Sequence, residues 1–431
     1  MSYIVGHPIK HPADFYGRHE QVTRFYEIIG GRQAQSVSIL GVRRAGKTSF
    51  LQFVAHPSTM AQYLPDPDDY TMVYIDLSSC KGPADFYYRL LQRLKVALGK
   101  GKTGYLWKES PLGQTKLYDV EAYLCQFPGQ RIVLLLDEFD HLRTEAFTHD
   151  FLTELRAMTG VLDYDLACVT ASYWDLYTLG TRLGLPPTSP FYNIFYPTPI
   201  YMSALELTEA MALIDTPASK GGVTFSEDDV MAIQDLAGSM PFFVQATAAK
   251  WFQRIRADGV PDAELIRQQL AADLAPYFDQ WWHSFTTSER AVLLTVSGER
   301  PLTDLGYPPI ELDAIVRRLH GYGLLYRADA EVCINGRIFQ TWLRQYARQE
   351  PTQPVLPTPS GADLARIRHA LVDSFDLDEL RTLCFDLGMD FESLPGQSKP
   401  AKAREMVNYW RNRRDLDKLT EAIRVERGNI I

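Results

Sequence analysis

Short, nearly unbroken apolar runs recur along the first half of the chain, each followed by a stretch with helical spacing. The run over 36–40 leads into a helix beginning near Ser49, and the run over 72–77 precedes an amphipathic helix over 86–98. The run over 131–136 is the most apolar, and the run over 166–172 follows a helix around 151–158. Continuous runs of this length predict strands buried on both faces. Their alternation with helices predicts a parallel α/β sheet with right-handed crossovers.

The pattern then changes. Residues 205–252 read as helices, broken by Gly238-Ser239-Met240-Pro241, and Thr286-Thr287-Ser288-Glu289 is a capping box opening a helix over 290–296. A second helix over 309–320 is stopped by Gly321 and Gly323, a hairpin follows over 324–327 and 331–334, and a last helix spans 338–347. Helix, helix and β-wing predict a winged helix. Pro351, Pro354, Pro357 and Pro359 then mark a stiff linker without apolar period. Beyond it, Leu364, Ile367 and Leu371, then Leu377, Leu380, Leu383, Cys384 and Leu387, return to helical spacing. The expected division is an α/β core over 1–204, a helical lid over 205–272, a winged helix over 273–350, the linker over 351–361 and a small all-α bundle over 362–431.

The chemistry sits where strands meet helices. Gly41-Val42-Arg43-Arg44-Ala45-Gly46-Lys47-Thr48 matches the pattern G-x-x-x-x-G-K-[ST] in full, between a predicted strand and a predicted helix that begins with Ser49. In such a loop the backbone N–H groups of residues such as Arg44, Ala45 and Gly46 point at phosphate oxygens, beside the positive end of the new helix. Lys47 would reach the β- and γ-phosphates, and the Thr48 hydroxyl would hold Mg²⁺, so ATP and Mg²⁺ are the expected ligands. A glycine-rich turn that binds nothing is the bland alternative, and the correct order of strand, loop and helix argues against it. Gly101-Lys102-Thr103 spells the same ending but lacks the first glycine, because Val96 stands there.

Binding becomes hydrolysis only with acids. The 131–136 run ends in Asp137-Glu138-Phe139-Asp140. Asp137 is placed to hold the Mg²⁺ water shell, and Glu138 to orient or deprotonate the attacking water; without that role for Glu138 the chain would be an ATP-binding scaffold. Asp140 reads as a helix cap or a supporting carboxylate. Thr170 and Ser172 close a strand expected between the two motifs, as sensors of the γ-phosphate or as ordinary strand-end hydroxyls. Phe15-Tyr16-Gly17-Arg18 is an aromatic turn that either packs against adenine or is simply apolar.

Composition narrows the class. A net charge of −9 argues against wholesale coating of nucleic acid. The five cysteines are dispersed without a CxxC pair, the usage expected of a cytoplasmic protein. The first residues lack the basic start and apolar core of a signal peptide, and no run approaches membrane-spanning length. His7 and His11 stand four apart, but Pro8 and Pro12 disfavour the helix that would aim both at a metal.

The series Tyr16-Gly17-Arg18, P-loop, Asp137-Glu138, Ser189-Pro190-Phe191-Tyr192-Asn193-Ile194-Phe195, Gly238-x-x-Pro241 and winged helix resembles prokaryotic STAND-type ATPases, relatives of AAA+ and origin-recognition ATPases. The resemblance covers 1 to about 350. It implies a P-loop NTPase with its two motifs on non-adjacent strands, an ATP/ADP switch, a homo-oligomer on activation, and Pro241 as an adenine-side contact. Tyr173 follows the sensor strand where many relatives have arginine, leaving Arg182 and Arg156 as weak candidates for the γ-phosphate cation.

After the linker, Asp378-Glu379-Leu380-Arg381-Thr382-Leu383-Cys384-Phe385-Asp386-Leu387-Gly388, Leu394-Pro395-Gly396 and Lys402-Ala403-Arg404-Glu405 resemble bacterial effector-associated, death-like adaptor domains. That likeness implies an effector protein carrying a matching domain. Acidic Asp376, Asp378, Glu379 and Asp386 and basic Lys402, Arg404, Arg411, Arg413 and Arg414 could form two complementary faces, or be ordinary solvated charge. The leading expectation is thus a signal-transduction ATPase of bacterial immunity or conflict. The alternative is a DNA-associated initiator-like or mobile-element ATPase, resting on Arg317, Arg318, His320 and Arg327 of the winged helix.

Overall fold

The apolar runs become a parallel sheet of five strands: β1 (Val37–Leu40), β2 (Tyr70–Asp76), β3 (Arg131–Asp137), β4 (Asp165–Ser172) and β5 (Ile200–Tyr201), in the order β2-β3-β4-β1-β5. β4 therefore separates the P-loop strand β1 from the acidic strand β3, as the resemblance implies. The register sets Leu40 beside Ser172 and Asp76 beside Asp137, so the functional strand ends share one edge of the sheet. The computed structural model describes residues 3–33, 35–99, 113–143, 146–186, 188–328, 331–349, 361–387, 389, 391, 394–396, 398–412 and 416–427. The lookalike at Gly101-Lys102-Thr103 and most of the proline-rich linker lie outside them. The chain divides into two units, 1–302 with 309–351, and 303–308 with 352–431.

In the first unit, helices Leu207–Lys220, Glu227–Ala237 and Pro241–Asp258 follow the sheet. Helix Ala263–Ser284 comes next and runs unbroken through the boundary expected at 272/273. Its buried stripe explains why: Ile266, Leu270, Leu274 and Phe278 keep four-residue spacing straight across that point. The capping box forms as expected, with Thr286 and Glu289 bonding each other's backbone N–H at 3.2 and 2.8 Å. Helices Thr287–Ser297, Pro309–Gly321 and Arg337–Gln349 flank the antiparallel hairpin of β6 (Leu325–Ala328) and β7 (Glu331–Ile334). Gly323 takes φ 75°, and a β-carbon there would meet the Ala204 backbone nitrogen at 2.3 Å. Only glycine lets the hairpin approach the end of the sheet so closely.

The second unit holds helices Gly361–Ser374, Leu377–Asp386, Lys399–Asn412 and Leu416–Arg427 around Leu371, Leu380, Met406, Trp410, Leu419 and Ile423. Asp376 and Glu379 form a reciprocal cap on the second of these, both bonds at 2.8 Å. One expected surface charge is a core residue. Lys402 is buried and donates to the Phe391 and Leu394 carbonyls at 2.8 and 2.7 Å, so its ammonium satisfies a loop and is unavailable to a basic face. Arg404 pairs with Glu405, Arg381 with Asp378 and Arg427 with Glu379. The Arg411 side chain and all of Arg413 and Arg414 lie outside the described residues.

Candidate functional site

The P-loop wraps the start of helix Lys47–Val54, with Gly46 at φ 94° turning the chain into it. Gly41 N donates to Ser172 O at 3.2 Å, tying the loop to the end of β4. The Lys47 ammonium donates to the Gly41 and Val42 carbonyls at 2.8 and 3.2 Å. Burial pushes its pKa below the ordinary lysine value, against the opposing pull of Asp140, Glu138 and Asp137. The loop lines a cleft of about 710 Å³, together with residues 4–9, Ser49, the ends of β2 and β3, Pro241, Phe242, Tyr277 and Gln280.

Across the cleft the acids arrive from β3. Asp137 Oδ2 accepts from Thr48 Oγ1 at 2.7 Å and from the Tyr74 hydroxyl at 2.9 Å. Its other oxygen accepts from Glu138 N at 2.9 Å. Two hard oxygen ligands side by side suit Mg²⁺. Glu138 leaves the strand at φ 50°, a left-handed conformation uncommon outside glycine, which swings it into the cleft. Desolvation raises its pKa above the usual glutamate range, and Asp137 and Asp140 add to the rise while Lys47 and Arg43 oppose it. A desolvated carboxylate next to a cationic loop is suited to general-base work. Asp140 turns the other way and accepts from the backbone N–H groups of Tyr173 and Trp174. It is a supporting carboxylate, one of the two roles its sequence position allowed.

Of the aromatic turn, Phe15, Tyr16 and Arg18 line the cleft. Arg18, at φ 66° and 2% exposed, donates from Nη2 to Ala45 O at 3.3 Å, so its side chain braces the P-loop. Gly17 packs against Glu209 of helix Leu207–Lys220, leaving a β-carbon there only 2.8 Å of room. Phe15 stacks on Phe53, with ring centroids 4.2 Å apart.

The sensor candidates are not brought to the cleft. Thr170 lies wholly buried within β4, and Ser172 spends its hydroxyl on Trp174 O at 2.7 Å. Arg182 sits 3.9 Å over the Trp174 ring. Neighbouring groups engage Ser172 and Arg182, while Thr170 Oγ1 is buried with no hydrogen-bond partner among the described residues.

Other cleft residues escaped the sequence reading. Residues 3–9 run across the cleft mouth: Tyr3 OH donates to Ile214 O, Gly6 O accepts from Arg44 at 2.8 Å, and Ile9 N donates to Ser49 Oγ at 3.0 Å. Tyr74, Phe242 and Tyr277 join from β2 and the later helices, and behind them the buried Trp281 donates from Nε1 to Arg43 O at 2.9 Å. The only available signal was the spacing of aromatics on helix Ala263–Ser284, and it does not say which wall they meet.

Residues 28–302, more than half of the chain, match the sequence profile of Novel STAND NTPase 2, and residues 367–428 match that of Effector-associated domain 7. No curated protein matches the chain in sequence. Among solved structures, the Walker-type ATPase PABY2304 of Pyrococcus abyssi is 14% identical over 80% of this chain and 100% of its own, with a TM-score of 0.55. The ORC1 protein of Aeropyrum pernix in complex with DNA is 15% identical over 78% of this chain and 95% of its own, at a TM-score of 0.43. The first likeness is one of fold, and the second is too loose in shape to support an argument.

Proposed function

The chain belongs to the Novel STAND NTPase 2 family, and from that membership we propose that it is an ATP-dependent signalling switch. It binds Mg-ATP in the cleft, hydrolyses it slowly, oligomerises in the ATP state and recruits an effector protein through its C-terminal domain. The observation that carries this reading is the presence, in one chain, of a P-loop facing Asp137 and Glu138 and of an effector-associated domain. Lys47 neutralises the β- and γ-phosphates, Glu138 holds the attacking water, and Thr48 and Asp137 hold Mg²⁺. When bound, the metal supplies positive charge to the phosphate oxygens. Tyr16 and Pro241 form the adenine side of the cleft. The elements after the sheet act as lid and winged helix, in a setting of bacterial immunity or conflict signalling.

The DNA-associated alternative finds less support. Arg317 and Arg327 both pair with Asp313, at 3.1 and 3.7 Å, and Arg318 pairs with the buried Glu289 at 3.6 Å. Three of its four candidate phosphate contacts are therefore engaged within the chain, leaving exposed His320.

Replacing Lys47 by alanine is expected to abolish tight Mg-ATP binding, measured by equilibrium titration of the full chain. Wild-type affinity in Lys47→Ala would refute the phosphate assignment.

A further inference from the structure

Three arginines line the cleft, and two are committed elsewhere. Arg18 is buried against Ala45 O. Arg44 donates to Gly6 O and lies over the rings of Phe242 and Tyr277, at 5.1 and 5.2 Å from their centroids. Arg43 differs from both. Its side chain is exposed at the cleft, and no hydrogen bond or ion pair engages its guanidinium among the described residues.

Its backbone, by contrast, is fixed. Trp281, 2% exposed, packs edge-on against Phe243 and Phe339 and donates its indole N–H to Arg43 O. Arg43 lines the same cleft as Glu138 and Lys47, and its charge steadies the Glu138 carboxylate and opposes the Lys47 ammonium. At the exit of β4, where an arginine was expected, stands Tyr173, and Arg182 is stacked on Trp174.

We propose that Arg43 recognises the terminal phosphate of a bound nucleoside triphosphate, and that Trp281 is the positioning residue that aims it. The inference rests on the nucleotide-binding reading above and adds a specificity: discrimination of triphosphate from diphosphate. A planar guanidinium donates a fork of hydrogen bonds that fits phosphate oxygens. A cation that shares the cleft with Glu138 can meet the group that hydrolysis removes, whereas Lys47 spans the β- and γ-phosphates.

The test is the ratio of ATP to ADP affinity, measured by calorimetry on the full chain with Mg²⁺. Arg43→Ala is expected to lower that ratio about tenfold or more, the scale of one charge-assisted hydrogen bond. Arg43→Lys restores part of it. Trp281→Phe keeps a ring and removes the donor, and moves the ratio in the same direction by less. An unchanged ratio in Arg43→Ala overturns the inference, and so does an equal loss for both nucleotides, which would mark a loop that no longer folds. Wild-type protein that binds neither nucleotide sinks the underlying function as well, and is thereby distinguished from failure of Arg43 alone.

Discussion

Glu138 carries two costs of the site at once. Its φ of 50° carries a penalty of about 1–2 kcal/mol for a non-glycine side chain. Its carboxylate is also partly desolvated beside Asp137, so the folded chain holds its proton more tightly than the unfolded chain does. With the folded pKa raised, ionised Glu138 subtracts from stability, and the loss sets in as pH rises from the unfolded value through the folded one. Glu138→Gln is therefore expected to raise the melting temperature at neutral pH, with the gain fading below the ordinary glutamate range. The same substitution should leave ATP bound and slow hydrolysis by about 10²-fold or more. Thermal melts across pH and single-turnover assays check the two halves. A variant that is no more stable at neutral pH would mean that Glu138 carries no desolvation cost.

At the scale of elements, the turn after β4 is held from two sides. Asp140 accepts from the backbone N–H groups of Tyr173 and Trp174, and Tyr322 donates to Tyr173 O at 2.9 Å. The acidic strand and the 309–321 helix end therefore grip one turn. Tyr322→Phe keeps the ring packed and removes one hydrogen bond, which should cost about 0.5–1.5 kcal/mol. It should also speed ADP release, readable by stopped-flow displacement; release at the wild-type rate would detach this contact from the nucleotide cycle. Strands buried on both faces leave unbroken apolar runs, which is why β1, β3 and β4 were legible in the sequence. The P-loop and Asp137-Glu138 were legible because their geometry is local. The role of Ser172 stayed open because a strand-end hydroxyl points wherever the following turn draws it, here toward Trp174 O. The contact of Trp281 with the P-loop was invisible, since an apolar helix position looks alike whichever surface it covers. The buried stripe of helix Ala263–Ser284 continues across the lid boundary drawn at 272/273.

At the scale of the whole chain, the second unit has its own buried core, from Leu371 to Ile423, built without residues of the sheet. A fragment cut within 351–361 is expected to be helical and to unfold cooperatively. Leu419→Ala should cost it about 2–5 kcal/mol, a large share of the stability of so small a domain. A fragment that stays unfolded by circular dichroism would make the unit an appendage of the ATPase instead of an independent adaptor. In the first unit, helix Ala263–Ser284 is one rod of 22 residues, about 33 Å long, with Pro276 in its interior. Proline leaves the Ala272 carbonyl without its helical partner, so the rod has a soft joint there. Just beyond the joint, Trp281 reaches the P-loop, while its neighbour Trp282 lies against Trp342 and Tyr346 of the final helix, at 5.9 and 4.8 Å. Mechanically this is a lever with a fulcrum and two loads on one short arm. A tilt of about 10° moves Trp281, about 7.5 Å beyond the joint, by about 1.3 Å, more than a hydrogen bond tolerates. Because the indole contact to the loop and the aromatic contacts of Trp282 ride on adjacent residues, the rod is expected to respond to strain as a threshold and not a slope.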